Sequence, residues 1–169
     1  MRIIVLFLAI IFALPAMASD PELNGEYQKW QVYHYQEANG PVCYAMTRAE
    51  KTTDAKGKVL KIKDRGRVLL QVTRRVAEGN GLVVSFVAGH SIKSKTDVLA
   101  TVGKAHFHLR GDGDTAWTNN PSDDATIVQS IRKAKTITIA HQGRKATLVI
   151  DDFSIKGASA ALDALSNCE

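Results

Sequence analysis

Apolar residues recur at every second position, in one short run after another, along this 169-residue chain. In "KWQVYHY", Trp30, Val32 and His34 alternate with Gln31, Tyr33 and Tyr35. A repeat of two is the signature of a strand with two distinct faces, so the pattern commits most of the chain to sheet. "EANG" supplies a turn, "PVCYAMT" follows it through Val42 to Thr47, and the two runs read as a hairpin. "RVLLQVTRR" (67–75) and "GLVVSFVAG" (81–89) are apolar on much of both faces, which suits paired strands at the centre of a core. "DVLATVGKAHFHLRG" reads as two short strands joined at Gly103-Lys104, with Phe107 and Leu109 turned inward. "KTITIAHQGRKATLVIDDFSI" reads as a hairpin about Gln142-Gly143, carrying Ile137 and Ile139 on one arm and Leu148, Ile150 and Phe153 on the other.

Two segments break the rhythm. In "NPSDDATIVQSIRKAK", Asn120 can cap a helix, Pro121 fits its first position, and Asp123 and Asp124 complement its positive end. Arg132, Lys133 and Lys135 complement the negative end, and Ile127, Val128 and Ile131 share a face that packs on the sheet. In "GASAALDALSNC", Ala158, Ala161, Leu162 and Leu165 recur at helical spacing after Gly157.

The first eighteen residues carry Arg2, an apolar run from Ile3 to Leu14 and a small-x-small close at Ala16-Met17-Ala18, the pattern of a cleaved secretory signal peptide. That run is shorter than the roughly 20 residues of a membrane span, and no second one follows. The expected product is a single domain over 19–169, beginning with a short tail around "SDPELNGE", in an oxidising compartment such as the periplasm, peripheral to the outer membrane or at the cell surface. There the only two cysteines, Cys43 and Cys168, have one intramolecular pairing. Many short strands, two short helices and this pairing predict an all-β fold: an immunoglobulin-like β-sandwich with two helices and one disulfide.

Four blocks, "GPVCYAMT", "VVSFVAGHSIK", "GDGDTAWTNNPSDDATIVQSIRK" and "DDFSIKGASAALDALSNC", occur in the order seen in the invasion-associated locus B family, which the chain resembles over essentially its whole mature length. The resemblance implies a secreted β-sandwich protein of a Gram-negative envelope, related to a founding member linked to host-cell entry, with no catalytic residues. His90 and Ser91 after Gly89 depart from the aromatic-proline pair usual in that family, and His106 and His108 stand where lysine or threonine is common.

The strongest surface signal is charge. The formal net charge is +5. Between Arg48 and Arg75 ten lysines or arginines face three acids, and Lys61, Lys63, Arg65 and Arg67 would line one side of an extended segment. Such a ridge suits an acidic envelope component or an acidic partner protein, or serves as a charged edge that resists aggregation. Nucleic acid is not expected, because export removes it and no aromatic residues are interleaved with these charges. His106 and His108 fall on one face of a strand and are the candidates for a metal site or metal-dependent hydrolase. A third ligand is not evident, and Arg110 on the same edge would repel a cation. Arg110-Gly111-Asp112 spells a tripeptide read by host receptors on exposed loops, although glycines and aspartates also simply make turns. Trp30 and Trp117 read as packing residues. Nucleophile-elbow, zinc-protease and phosphate-loop motifs are missing, and the adjacent pairs Asp123-Asp124 and Asp151-Asp152 do not make an acid/base pair. The expectation is a non-enzymatic binding or envelope-support protein without a cofactor.

Overall fold

A computed structural model describes residues 19–61, 63, 65–79, 81–143 and 147–168; the expected signal segment, 1–18, lies outside the described residues. The strands are β1 (Glu22–Tyr27), β2 (Trp30–Glu37), β3 (Gly40–Thr53), β4 (Leu69–Arg75), β5 (Leu82–Val87), β6 (Val98–Val102), β7 (Ala105–Asp112), β8 (Thr115–Thr118), β9 (Ile137–Gln142) and β10 (Leu148–Phe153). Helix α1 (Pro121–Lys133) lies between β8 and β9, and α2 (Ala158–Ala164) follows β10.

These strands form one sheet that closes on itself. Its order is β1-β2-β3-β10-β9-β6-β7-β8-β5-β4, and β4 returns to pair with β3, so eight of the described strands complete a barrel. All pairings are antiparallel. The all-β class, the two helices and the disulfide are present, but the immunoglobulin-like sandwich is not. The reason is the length of β3. Its 14 residues give it two jobs: Val42–Arg48 pair with β4 on one edge, while Ala49–Thr53 pair with β10 on the other. Alternating strands fit a sandwich and a closed barrel equally well, and only a strand that changes neighbours along its length selects closure. β2 and β1 continue outward from β3 as an annex to the barrel.

Directly paired residues point to the same side, so the register sorts the interior. Leu70, Val72, Val84, Phe86, Ile137, Ile139, Val149 and Phe153 face inward and are buried. Each such side chain contributes about 1.5–3 kcal/mol relative to exposure. Helix α1 adds Ile127, Val128 and Ile131 to the same core. Asn120 caps it through a 3.0 Å bond from the Asp123 N–H, and Asp124 Oδ1 accepts the Val84 N–H at 2.7 Å, just beyond the residues that β8 pairs on β5.

The chain's end is fixed from two directions. Gly157, at φ +88°, begins α2 where an added Cβ would stand 1.8 Å from the Tyr27 carbonyl oxygen. After α2 a 3-10 turn (Leu165–Asn167) leads to Cys168, which is bonded to Cys43 on β3. Arg74 Nη1 donates to the Leu165 and Ser166 carbonyls at 2.8 and 2.7 Å, satisfying acceptors that a helix end leaves open. No helix among the described residues is long and apolar enough to cross a membrane.

Candidate functional site

The connection from β3 to β4 carries most of the basic run, and its course is set by Asp54. That side chain accepts the N–H groups of Lys56 and Lys58 at 2.8 and 2.9 Å, folding the start of the loop into a tight turn. Further along, Gly66 meets Gly89: the Gly66 N–H donates to the Gly89 carbonyl at 2.8 Å. A Cβ on Gly89, which sits at φ +68°, would lie 2.6 Å from the Gly66 oxygen. Two backbones approach this closely only where neither carries a side chain.

This contact aims Arg65 into the barrel. Its guanidinium grips Asp151 on β10 with two bonds, Nη2 to Oδ2 at 2.7 Å and Nη1 to Oδ1 at 2.9 Å, and Nε donates to the Ala88 carbonyl at 2.8 Å. Thr52 Oγ1 donates to Asp151 Oδ1 at 2.6 Å, and His141 Nε2 lies 3.0 Å from Oδ2. A carboxylate only accepts, so Nε2 carries the imidazole proton. His141 Nδ1 is buried with no hydrogen-bond partner, and the ring lies against Phe86 and His90, each 5.2 Å away between centroids. His141 and Asp151 have no exposed surface, and the Arg65 side chain is 7% exposed. Burial pushes the Asp151 carboxyl upward, but the hydrogen bonds from His141, Arg65 and Thr52 and the Arg65 charge outweigh it and hold the group below its ordinary value. Burial, the largest effect on His90, lowers its imidazole.

The four basic residues singled out in the sequence therefore part company. Lys61, Lys63 and Arg67 are exposed, with Lys56 and Lys58 beside them, while Arg65 is turned into the barrel as the anchor of the loop. The alternation that would have aligned all four fails because Lys63 lies in a turn.

His106 and His108 point outward on β7, as expected, but they serve local partners: His106 Nδ1 lies 3.1 Å from Thr101 Oγ1, and His108 Nδ1 lies 3.6 Å from Asp97 Oδ2. Among the described residues no group of three or more histidines, cysteines or acids could hold a metal ion. Arg110-Gly111-Asp112 ends β7 as extended strand paired with β8, and the turn follows at Gly113 and Asp114. Trp30 packs as expected, fully buried with its indole N–H on the Ser154 carbonyl at 2.9 Å. Trp117 does not, being 41% exposed on the outer face. Sequence reading missed the Arg65–Asp151–His141 cluster, although Asp151 lies two residues from both Val149 and Phe153, and His141 two from Ile139, on faces that are otherwise apolar.

No protein-family model matches this chain, and no curated protein matches it. Among solved structures, 88% of the chain superposes on 97% of invasion associated protein b from Bartonella henselae, with a TM-score of 0.57 and 17% identity. The chain has the fold of that protein. The resemblance read from the four sequence blocks is thus matched by a structural likeness to invasion associated protein b, and the coverage shows that the likeness extends over nearly the whole of the neighbour.

Proposed function

We propose that this chain is an exported, non-catalytic binding module of the bacterial envelope, whose anchored loop 54–67 holds acidic groups of an envelope component or a partner protein. The observation that carries this reading is the Arg65 clamp. One cation of the run is committed to a buried carboxylate, and the loop so fixed displays Lys56, Lys58, Lys61, Lys63 and Arg67 together. Cations displayed on one exposed loop repel one another and attract a polyanion.

Two further features support the reading. The leader-like residues 1–18 and the fold shared with invasion associated protein b suit export to an envelope. The one buried histidine–carboxylate pair described is closed by Arg65, with both carboxylate oxygens occupied by protein donors. A general base needs reach to a substrate proton, and this one is sealed from solvent.

The test is association with vesicles containing lipopolysaccharide at two salt concentrations. Wild-type protein is expected to bind at about 0.05 M salt and to release at about 0.5 M. The K61E/K63E/R67E variant is expected to bind at least tenfold more weakly, a loss of roughly 1.4 kcal/mol. Undiminished binding by that variant would overturn the assignment to this loop.

A further inference from the structure

We propose a second binding site, on the outer face of β2–β3–β4–β5–β8, for an acidic saccharide chain. It goes beyond the basic loop and shares no residue with it.

The register builds this face strand by strand. Tyr33 stands opposite Tyr44, Tyr44 opposite Thr73 and Thr73 opposite Val83; one pleat along, Gln71 stands opposite Ser85 and Ser85 opposite Trp117. All of them point away from the barrel interior, because their neighbours along each strand form the core. The Tyr33 and Tyr44 rings stack at 5.3 Å and 12°, and Tyr35 meets Tyr44 edge-on at 6.2 Å. Tyr35, Tyr44, Thr73, Val83, Ser85 and Trp117 line one shallow depression of about 330 Å³. Tyr44 on β3 and Trp117 on β8 are three strand spacings apart, about 14 Å, so the trough takes a short chain rather than a single ring.

The chemistry of the lining selects the ligand. Trp117 and Val83 leave 41% and 36% of their surface in water, on a sheet face that already carries three tyrosines. Apolar surface gathered in this way marks a place that something covers. A purely apolar partner is excluded by Gln71, Thr73, Ser85 and Thr115, which supply donors and acceptors between the rings. A pyranose presents both halves of that pattern, apolar C–H faces for the rings and hydroxyls for the polar side chains.

Charge narrows the choice further. Arg75 is on this face, opposite Val42, and Arg110 stands opposite Trp117. Arg75 also lines the depression, the one charged side chain among its described lining residues. Glu37 is held by Tyr35 at 2.9 Å and Arg75 at 3.5 Å, Glu78 lies 3.9 Å from Arg75 outside the depression, and Asp112 is the acid at the far edge. Two arginines beside an aromatic floor complement carboxylates on the saccharide.

Intrinsic fluorescence tests this cleanly. Trp30 is fully buried, so a ligand-induced change in emission reports Trp117. Titration with an oligouronide hexasaccharide is expected to give a saturable shift, and a neutral cello-oligosaccharide of equal length a much weaker one. The Y44A and R110E variants are expected to weaken the uronide about tenfold or more, and calorimetry on W117A is expected to show the same loss without relying on fluorescence. No shift with the uronide, equal binding of the neutral chain, or a larger shift with a single-stranded oligonucleotide would overturn the proposal. The K61E/K63E variant is expected to keep this signal while losing vesicle association, so the two sites fail separately.

Discussion

A carboxylate with no exposed surface persists in a barrel interior only when its lone pairs are engaged, and Asp151 meets that condition with donors from three places in the chain: the loop, β3 and β9. Removing one partner of such a pair strands the other. R65A is therefore expected to destabilise the fold by about 3–5 kcal/mol, read as a shift in the urea midpoint; a loss below about 1 kcal/mol would show that water replaces the guanidinium. The same geometry sets a pH dependence. The Asp151 pKa is lower folded than unfolded, so the unfolded chain binds the proton more readily in acid. Its stabilisation is present above the ordinary carboxylate value and is lost as the pH falls through the depressed folded value. Asp124, raised chiefly by burial, works in the opposite direction, and His90 is lowered chiefly by burial; both remain in a D151N variant. Denaturation at pH 7 and at about pH 3 is thus expected to show a larger acid loss for wild type than for D151N. Equal losses would remove Asp151 from the acid response.

At the scale of elements, Gly89 decides whether the loop stays on the barrel. A methyl group there meets the Gly66 and Arg67 carbonyls at 2.6 and 3.0 Å, and the positive φ adds strain. G89A is expected to lift the loop and release Arg65. Proteolysis between Lys56 and Arg67 should quicken while β6 to β9 stay protected, and an unchanged cleavage rate would count against the clamp. Other elements were legible in the sequence for definite reasons. α1 carries its cap, its proline, its charges and its apolar face within a few residues; Asn120, Pro121 and the apolar face act as read, while Asp124 is buried on the Val84 N–H and Lys135 lies beyond the helix end. β1 was read as a tail, because its one aliphatic side chain, Leu23, is half exposed; in the structure it pairs with β2, and Tyr27 at its end packs against the core. The paired arms of β9 and β10 were legible, yet the inward face of β10 is Val149, Asp151 and Phe153, not the Leu148 and Ile150 that catch the eye. Only with Val149 and Phe153 as the inward face does the alternation turn Asp151 inward, as Ile139 does for His141. Arg65 was not legible, since its loop has no periodicity to give its side chain a direction.

At the scale of the molecule, closure depends on β3 changing partners midway, and the Cys43–Cys168 bond joins the first half of that strand to the end of the chain. The bond spans 125 residues, and a cross-link of that reach restricts the unfolded chain by up to about 5 kcal/mol in the chain-entropy account. Within the folded state, Arg74 already holds the Leu165 and Ser166 carbonyls, and Leu162 and Leu165 are buried. The end of α2 thus keeps its native contacts without the disulfide, and the cross-link acts mainly on the unfolded ensemble. The C43S/C168S variant is expected to fold to the same barrel with stability reduced by several kcal/mol toward that ceiling. Hydrogen exchange separates this from local tethering. If the unfolded state is what the bond constrains, the slowest amides of β5, β6 and β9, which exchange through global opening, lose protection by one common factor. If the bond merely pins the terminus, faster exchange is confined to α2 and the first turn after it. The second pattern would move the role of Cys168 from the whole fold to its last element.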